Sequence, residues 1–116
     1  MKQIESIWET YRSCWDEKDS ETRLNRLGEI MYDDFQYKDP NIEVIGYHDL
    51  SNYMMKFQEQ FGDASFEVTA IDIHHDSIMA NWNMLDSNNQ IVSRGVDFAK
   101  FENGRLQQIT GFFKEG

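Results

Sequence analysis

The chain has 116 residues, with 21 acidic against 11 basic side chains and a formal net charge of −10. This length predicts one domain over residues 1–116, and the acidic excess argues against binding to nucleic acid or to an anionic membrane. A single cysteine cannot form an internal disulfide, and no segment has the apolar length of a signal peptide or membrane span, so we expect a cytoplasmic protein. Aromatic residues make up 14% of a chain with a mean hydropathy of −0.69, and they must either fill a core or line a pocket.

Three amphipathic helices are predicted in the first half of the chain, where apolar residues recur at helical spacing. These residues are Ile4, Ile7, Trp8, Tyr11 and Trp15, then Leu24, Leu27, Gly28 and Met31, then Leu50, Tyr53, Met54, Phe57 and Phe61. Asp19 or Ser20 can cap the second helix, and Gly62 can end the third. Residues 35–45, interrupted by Asp39-Pro40, are predicted as a short strand or hairpin between the second and third helices.

From Ser65 onward the spacing changes to period two, which predicts strands. They are expected over residues 65–75, 78–84, 91–101 and 105–114, and the short turns between them indicate antiparallel hairpins. Helices followed by a curled antiparallel sheet predict an α+β fold. A sheet bent around the helices forms a half-open cone. From their spacing, Trp8 and Phe113 are expected to face its interior. Its interior is either filled by side chains or a cavity.

Asp97 is the acidic residue whose position in a strand carries most information. It shares one face of the strand with Gly95 and Phe101, whereas Val96 and Phe98 share the other. If the Phe101 face lines the cone, Asp97 is a buried carboxyl group that must be protonated or paired, as carboxyl groups of functional sites often are. If the Val96 and Phe98 face is the covered one, Asp97 lies in water.

Asp39 is a second candidate, because it precedes Pro40. A residue before proline is held extended, which fixes the direction of its side chain. Tyr37 lies two residues earlier on the same side of the strand. The alternative reading is that Asp39 only initiates a turn.

The sequence offers little for metal or nucleophilic chemistry. Neighbouring residues of a strand point to opposite faces, so His74 and His75 cannot share an ion, and no His-x-x-x-His or Cys-x-x-Cys spacing occurs. We therefore expect no metal and no cofactor. His75 has the same parity as Ile71 and Ile73 and is expected to face the cavity, whereas Cys14 is expected to pack in the core.

Several short motifs, taken in order, carry a family resemblance. They are Tyr32-Asp33-Asp34-Phe35, Lys38-Asp39-Pro40, Gly46 at the start of an amphipathic helix, Gly95-Val96-Asp97, and Phe101-Glu102-Asn103-Gly104-Arg105-Leu106. Over essentially the whole chain this arrangement resembles the nuclear transport factor 2-like superfamily, and within it the SnoaL-like group and the ketosteroid isomerases. The resemblance implies a cone-shaped, cystatin-like fold, with three helices on a curved, mostly antiparallel sheet that encloses a pocket. It also implies a homodimer formed through the outer sheet face, which an outward Val96 and Phe98 would suit.

The same resemblance implies roles for individual residues. Compared with ketosteroid isomerases, Asp39 matches the aspartate that shuttles a proton next to a carbonyl group. Asp97 matches a protonated acid and Tyr11 a tyrosine, which together donate to the developing enolate oxygen. Tyr32 matches a tyrosine that supports this donor network.

The implied activity is cofactor-free isomerisation of an apolar carbonyl compound or, as in SnoaL-like cyclases, closure of a ring. Two alternatives stay open: a non-catalytic domain that binds a small apolar ligand, and an accessory dimerisation module whose cone is filled by its own aromatic residues. The residues expected to contact the ligand are Trp15, Tyr32, Tyr53, Phe57, His75, Trp82 and Phe112.

Overall fold

The computed structural model describes residues 2–114, the side chain of Lys2 excepted. The elements in chain order are α1 (Lys2–Cys14), α2 (Ser20–Ile30), β1 (Met31–Asp39), β2 (Ile42–Ile45), α3 (Tyr47–Phe61), β3 (Ser65–His74), β4 (Ser77–Leu85), β5 (Ile91–Glu102) and β6 (Arg105–Lys114). The predicted α+β fold of three helices on a curved, mostly antiparallel sheet is confirmed. None of the helices in this part of the chain is long and apolar enough to cross a membrane.

The ends of the helices follow the capping signals, with one exception. Asp19 caps α2, and its carboxylate accepts a hydrogen bond of 2.9 Å from the backbone N–H of Thr22, which satisfies an amide of the first turn. Met31, which the helical spacing assigned to this helix, is instead the first residue of β1, with an extended backbone at φ −124°. Helix α3 ends at Gly62, whose φ of +40° is a conformation that favours glycine.

The sheet places the two candidate aspartates side by side. Its strand order is β2-β1-β6-β5-β4-β3, in which β1 and β6 run parallel and the other described neighbours run antiparallel. Lys38 pairs with Thr110, so the next residue, Asp39, lies level with Gly111, and Gly111 pairs on its other side with Asp97. Because side chains at the same level of neighbouring strands point to the same face, both aspartates face the helices.

A shared core holds the helices on the concave face of the sheet. Its fully buried side chains include Trp8 and Cys14 from α1, Leu27 from α2, Leu50 from α3 and Ile109 from β6. Burying a side chain of this kind stabilises a fold by roughly 1.5–3 kcal/mol.

Arg23 is a charged residue within this packed region, at 1% exposure. Its guanidinium donates to the Ser51 hydroxyl at 2.8 Å, to the Gln58 side-chain oxygen at 3.2 Å and to the backbone carbonyl of Glu17. These acceptors lie on α3 and on the connection between α1 and α2. Arg23 therefore fixes the arrangement of the helices that form one wall of the cone.

Candidate functional site

A cavity of about 1010 Å³ lies between the helices and the inner face of the sheet. Aromatic side chains form a large part of its walls, namely Trp8, Tyr11, Trp15, Tyr37, Tyr53, Phe57, Phe61, Phe66, Trp82 and Phe113. The ring of Trp15 packs edge-on against those of Tyr53, Phe57 and Phe66, at centroid distances of 5.5–5.9 Å. The aromatic residues thus both fill the core and line a cavity, at the upper end of the volumes typical for small-molecule sites.

Gly111 separates Asp39 from Asp97 at the polar end of this cavity. A Cβ atom at position 111 would lie 2.8 Å from Oδ1 of Asp97 and 3.5 Å from Cβ of Asp39. The first distance is too short for two atoms in contact, so any side chain here would displace the Asp97 carboxyl group. Glycine leaves the space in which the two acidic side chains face each other.

The Asp39 carboxylate accepts hydrogen bonds on both oxygens. Oδ2 accepts from the hydroxyls of Tyr37 at 2.7 Å and Tyr53 at 2.9 Å, whereas Oδ1 accepts from the backbone N–H groups of Asn41 at 2.8 Å and Ile42 at 3.2 Å. Asp39 takes part in the turn between β1 and β2 and also lines the cavity. Four donors are the environment of a carboxylate anion.

Asp97 has the opposite environment. Within residues 2–114 its carboxyl group accepts no short hydrogen bonds like those of Asp39, and apolar side chains line much of the cavity beside it, although the side chain keeps accessible surface toward the open space. Removal from bulk water raises the pKa of Asp97 from 3.8 to about 7, and the nearby negative charge of Asp39 adds to this effect. Close to neutral pH this carboxyl group is therefore divided between its acid and its anion.

The tyrosines of the site remain neutral donors. Burial is the main cause that raises the pKa of Tyr11 and Tyr37 well above 10, and the charges of Asp97 and Asp39 raise both further. For Tyr53 burial and the Asp39 charge raise the pKa to about 12. The hydroxyls of Tyr37 and Tyr53 donate to Asp39. Tyr11 is also near both carboxyl groups, but its hydroxyl does not donate to Asp39.

Trp82 covers the sheet next to Asp97. A Cβ atom on Gly95 would lie 2.1 Å from Cζ2 and 2.6 Å from Cε2 of the indole, so the ring lies directly on the glycine backbone. The ring packs edge-on against Phe66 at 5.3 Å and Phe113 at 6.0 Å. Its Nε1–H is buried and makes no hydrogen bond of full geometry with any group in residues 2–114, although it is close enough to the Asp97 carboxyl to favour the anion.

Of the residues expected to contact a ligand, Trp15, Tyr53, Phe57 and Trp82 line the cavity, as do Tyr11, Asp39 and Asp97. Tyr37 and Phe66 also line it, and neither was among the predicted site residues. Tyr37 could have been found from its position two residues before Asp39, because residues i and i+2 of a strand share a face.

Three residues that the sequence places against a ligand, Tyr32, His75 and Phe112, do not line the cavity. The Tyr32 hydroxyl donates to the backbone carbonyl of Glu102 at 2.8 Å, near the start of β1, within the irregular part of the pairing of β1 with β6.

The other two corrections follow from where strands end and which way they face. β3 ends at His74, so His75 lies in an exposed turn with φ +51° and the parity of the strand no longer applies to it. Phe112 lies on the outer face, 51% exposed, because Gly111 and Phe113 on either side of it face the cavity.

No group of three or more His, Cys, Asp or Glu side chains arranged to hold a metal ion occurs within residues 2–114. The one cysteine, Cys14, is fully buried, and burial raises the pKa of its thiol to about 11. A thiol in this state is a poor nucleophile and packs as a small apolar side chain.

The family model of the SnoaL-like domain matches residues 8–109, which span both carboxyl groups and most of the cavity wall. The chain belongs to the SnoaL-like family. A comparison of this SnoaL-like chain with curated proteins gave no match.

Solved structures agree on the fold of this SnoaL-like chain. A candidate isomerase of the SnoaL-like family from Agrobacterium tumefaciens strain C58 superposes with a TM-score of 0.91 at 23% identity, over 99% of this chain and 100% of that one. A candidate ketosteroid isomerase from Kribbella flavida DSM 17836 superposes with a TM-score of 0.74 at 19% identity, over 99% of this chain and 80% of that one. A candidate SnoaL-like polyketide cyclase from Jannaschia sp. CCS1 superposes with a TM-score of 0.72 at 16% identity, over 93% of this chain and 85% of that one. Identities this low establish a shared fold and no particular reaction.

Proposed function

We propose that this SnoaL-like protein is an enzyme that binds a small, largely apolar carbonyl compound in its cavity and moves a proton next to the carbonyl group without a cofactor. The products would be a double-bond isomer or, when an electrophile lies in the same molecule, a closed ring. Among the structures with the same fold are proteins named as candidate isomerases and as a candidate cyclase, which is consistent with both outcomes.

The observation that carries the proposal is the pair of carboxyl groups with opposite environments on either side of Gly111. Asp39 accepts four hydrogen bonds, which suits an anion, and Asp97 lies in a dehydrated setting that raises its pKa to about 7. Two acidic groups separated in this way are the usual sign of a base and an acid that work together. The apolar walls around them fit the body of a carbonyl compound.

In the proposed reaction the carbonyl oxygen accepts hydrogen bonds from Asp97 in its acid form and from the Tyr11 hydroxyl. Asp39 takes the proton from the carbon next to the carbonyl group, which breaks the C–H bond and leaves the electron pair in the enolic system. Return of the proton to another carbon gives the isomer. Tyr37 and Tyr53 hold the Asp39 carboxylate in one orientation throughout.

The test is the exchange of solvent deuterium into 2-tetralone, an apolar bicyclic ketone with acidic protons next to its carbonyl group, followed by proton NMR. We expect the protein to accelerate the exchange above the buffer background, and Asp39→Asn to lower kcat/KM by about 10²–10⁴-fold. Asp72→Asn is the matched control, because Asp72 is exposed on β3 outside the cavity and its loss should leave the rate unchanged. Exchange that survives in Asp39→Asn would exclude Asp39 as the base.

A second function, non-catalytic binding of an apolar ligand, is favoured by one specific observation. Both oxygens of Asp39 are engaged by donors, two of which belong to the turn that the residue forms. A carboxylate held in this way also serves a purely structural purpose. This function predicts that 2-tetralone binds to the protein and to Asp97→Asn with similar affinity and that neither exchanges its protons.

The proposal includes a homodimer formed through the outer sheet face. Phe98 and Phe112 lie there with their rings edge-to-face at 5.8 Å, exposed by 44% and 51%. Val96 contributes little to such an interface, since it is 8% exposed in the single chain. The proposed location is the cytoplasm, in keeping with the single buried thiol of Cys14.

A further inference from the structure

The indole N–H of Trp82 is a buried donor that makes no hydrogen bond of full geometry within residues 2–114. Leaving a donor unsatisfied in this way costs about 1–3 kcal/mol, and folded proteins rarely keep such a group without a reason. The ring cannot turn away, because it is held between Phe66 and Phe113 and rests on the backbone of Gly95.

Trp82 is directed toward Asp97 by the register of the sheet. Trp82 pairs with Gly95, and Asp97 lies two residues further along the same strand on the same face. Cε2, the ring atom bonded to Nε1, is one of the two indole atoms closest to Gly95, so the edge of the ring that carries the N–H lies over β5. The Asp97 carboxyl is the nearby acceptor, and its anion is stabilised by this N–H.

We propose that Trp82 is a positioning residue for Asp97: its buried N–H receives the negative charge that forms when Asp97 gives its proton to the substrate oxygen, so that the intermediate is a neutral enol. The inference rests on the proposed function and adds a step to it. The C–H bond breaks and its proton goes to Asp39, while the O–H bond of Asp97 breaks and its proton goes to the carbonyl oxygen. Before this step Asp39 carries the negative charge, and after it Asp97 does.

The protonation state of Asp97 decides how strongly its carboxyl group accepts from the indole N–H. While Asp97 is protonated, its acidic hydrogen is available to the substrate and the carboxyl group is a weak acceptor for the indole. Once Asp97 is an anion, it becomes a strong acceptor, and hydrogen bonds to charged groups are worth about 1.5–3 kcal/mol. The indole therefore stabilises the product side of the transfer more than the resting side.

The first test follows the indole N–H resonances of the ¹⁵N-labelled protein between pH 5 and 9 without any ligand. The chain has three tryptophans, so at most three such signals occur, and the one missing from Trp82→Phe is that of Trp82. We expect this signal to move downfield as Asp97 ionises, with a midpoint near pH 7, and to stop titrating in Asp97→Asn. A signal that does not titrate, or that still titrates in Asp97→Asn, would overturn the proposal.

Other ionisable groups face Asp97, namely Tyr11 from α1 and both Tyr37 and Asp39 from β1. The tyrosine pKa values lie too high for these groups to ionise in this range. The variant Asp39→Asn distinguishes Asp97 from Asp39 as the cause of the change in the Trp82 signal. If Asp97 is the cause, the signal still titrates in this variant.

The second test measures the carboxyl ¹³C signal of Asp97 in Trp82→Phe, which keeps an aromatic ring and removes the donor. Loss of the donor should raise the midpoint of Asp97 by about one pH unit, and kcat/KM for exchange of 2-tetralone should fall about tenfold. Phe113→Leu, which loosens the packing of the same ring but keeps its N–H, should leave the midpoint in place. An equal shift in both variants would assign the effect to packing alone.

The two proposals fail in different ways. Absence of deuterium exchange in the unmodified protein would refute the proposed function, whereas the titration of the Trp82 signal is measured without substrate and does not depend on turnover.

Discussion

Asp97 makes the folded chain less stable as the pH rises, and its replacement by asparagine should reverse this effect. The pKa of Asp97 is raised in the folded state, from 3.8 to about 7. Below pH 4 the residue is protonated in both states and costs nothing. Between pH 4 and 7 the unfolded chain releases this proton while the folded chain keeps it, so stability falls, and above pH 7 the loss is constant.

The size of the loss follows from the shift. Each pKa unit corresponds to about 1.36 kcal/mol, so a shift of this size gives at most about 4 kcal/mol at pH 8. Asp97 keeps some accessible surface, so solvent screens part of this effect, and a loss of about 2 kcal/mol is a realistic lower figure. Asparagine at position 97 is neutral at every pH. Asp97→Asn should therefore gain about 2–4 kcal/mol over the unmodified protein between pH 4 and 8.

Urea unfolding at pH 4, 5.5, 7 and 8.5, extrapolated linearly to water, gives the difference in free energy of unfolding between the two proteins. Any effect of the amide that does not depend on pH shifts the whole curve and leaves its slope unchanged. Asp72→Asn removes an exposed charge from the same acidic chain and controls for general repulsion. A difference for Asp97→Asn that stays flat with pH, or that changes no more than in Asp72→Asn, would refute the assignment of Asp97 as a dehydrated acid.

Three further predictions concern packing and assembly. Gly95→Ala should cost at least 1–3 kcal/mol in urea unfolding and disturb the near-ultraviolet circular dichroism, because the new Cβ would overlap the Trp82 ring; an unaltered spectrum would mean that the ring is free to move. Arg23→Met should cost about 2–4 kcal/mol, since it leaves the buried acceptors of the guanidinium unsatisfied; a loss below 0.5 kcal/mol would show that these hydrogen bonds do not hold the helices. Phe112→Ser should convert a dimer into a monomer in sedimentation velocity, and an unchanged sedimentation coefficient would exclude this face as the interface.

Periodicity was enough to predict the α+β class, because the three helices and the strands after Ser65 are long and their apolar spacing is regular. The structure has the three predicted helices in the predicted order, and the alternation after Ser65 predicted the run of antiparallel strands. Met31 was assigned to a helix because a side chain that completes a helical stripe can equally begin a buried strand. Nothing local distinguishes the two, since the choice depends on the pairing of β1 with β6.

The candidate site was predictable only where a residue sits within a regular strand or helix. Asp97 faces the cavity because alternation holds through the middle of β5. His75 was misplaced because a strand ends one residue earlier than its hydrophobic pattern suggests. Phe112 and its neighbour Phe113 cannot both face inward, and only the close packing of Gly111 against the aspartates decides which of them does.

The hydrogen bonds between Asp39 and the two tyrosines could not be derived from spacing alone. Tyr37 precedes Asp39 by two residues, but Tyr53 reaches it from α3, fourteen residues later in the chain. Such a contact depends on how the helix is placed across the cone. The same holds for the indole of Trp82, whose direction is set by the packing of Gly95 against its ring.

The pH dependence of deuterium exchange into 2-tetralone tests the central claim most directly, because it shows whether turnover requires the acid form of Asp97. If Asp97 donates from its acid form, kcat/KM for exchange should fall as the pH rises through about 7, and this decline should disappear from the lower residual rate of Asp97→Asn. A rate that rises steadily with pH, or a decline that persists in Asp97→Asn, would contradict the account.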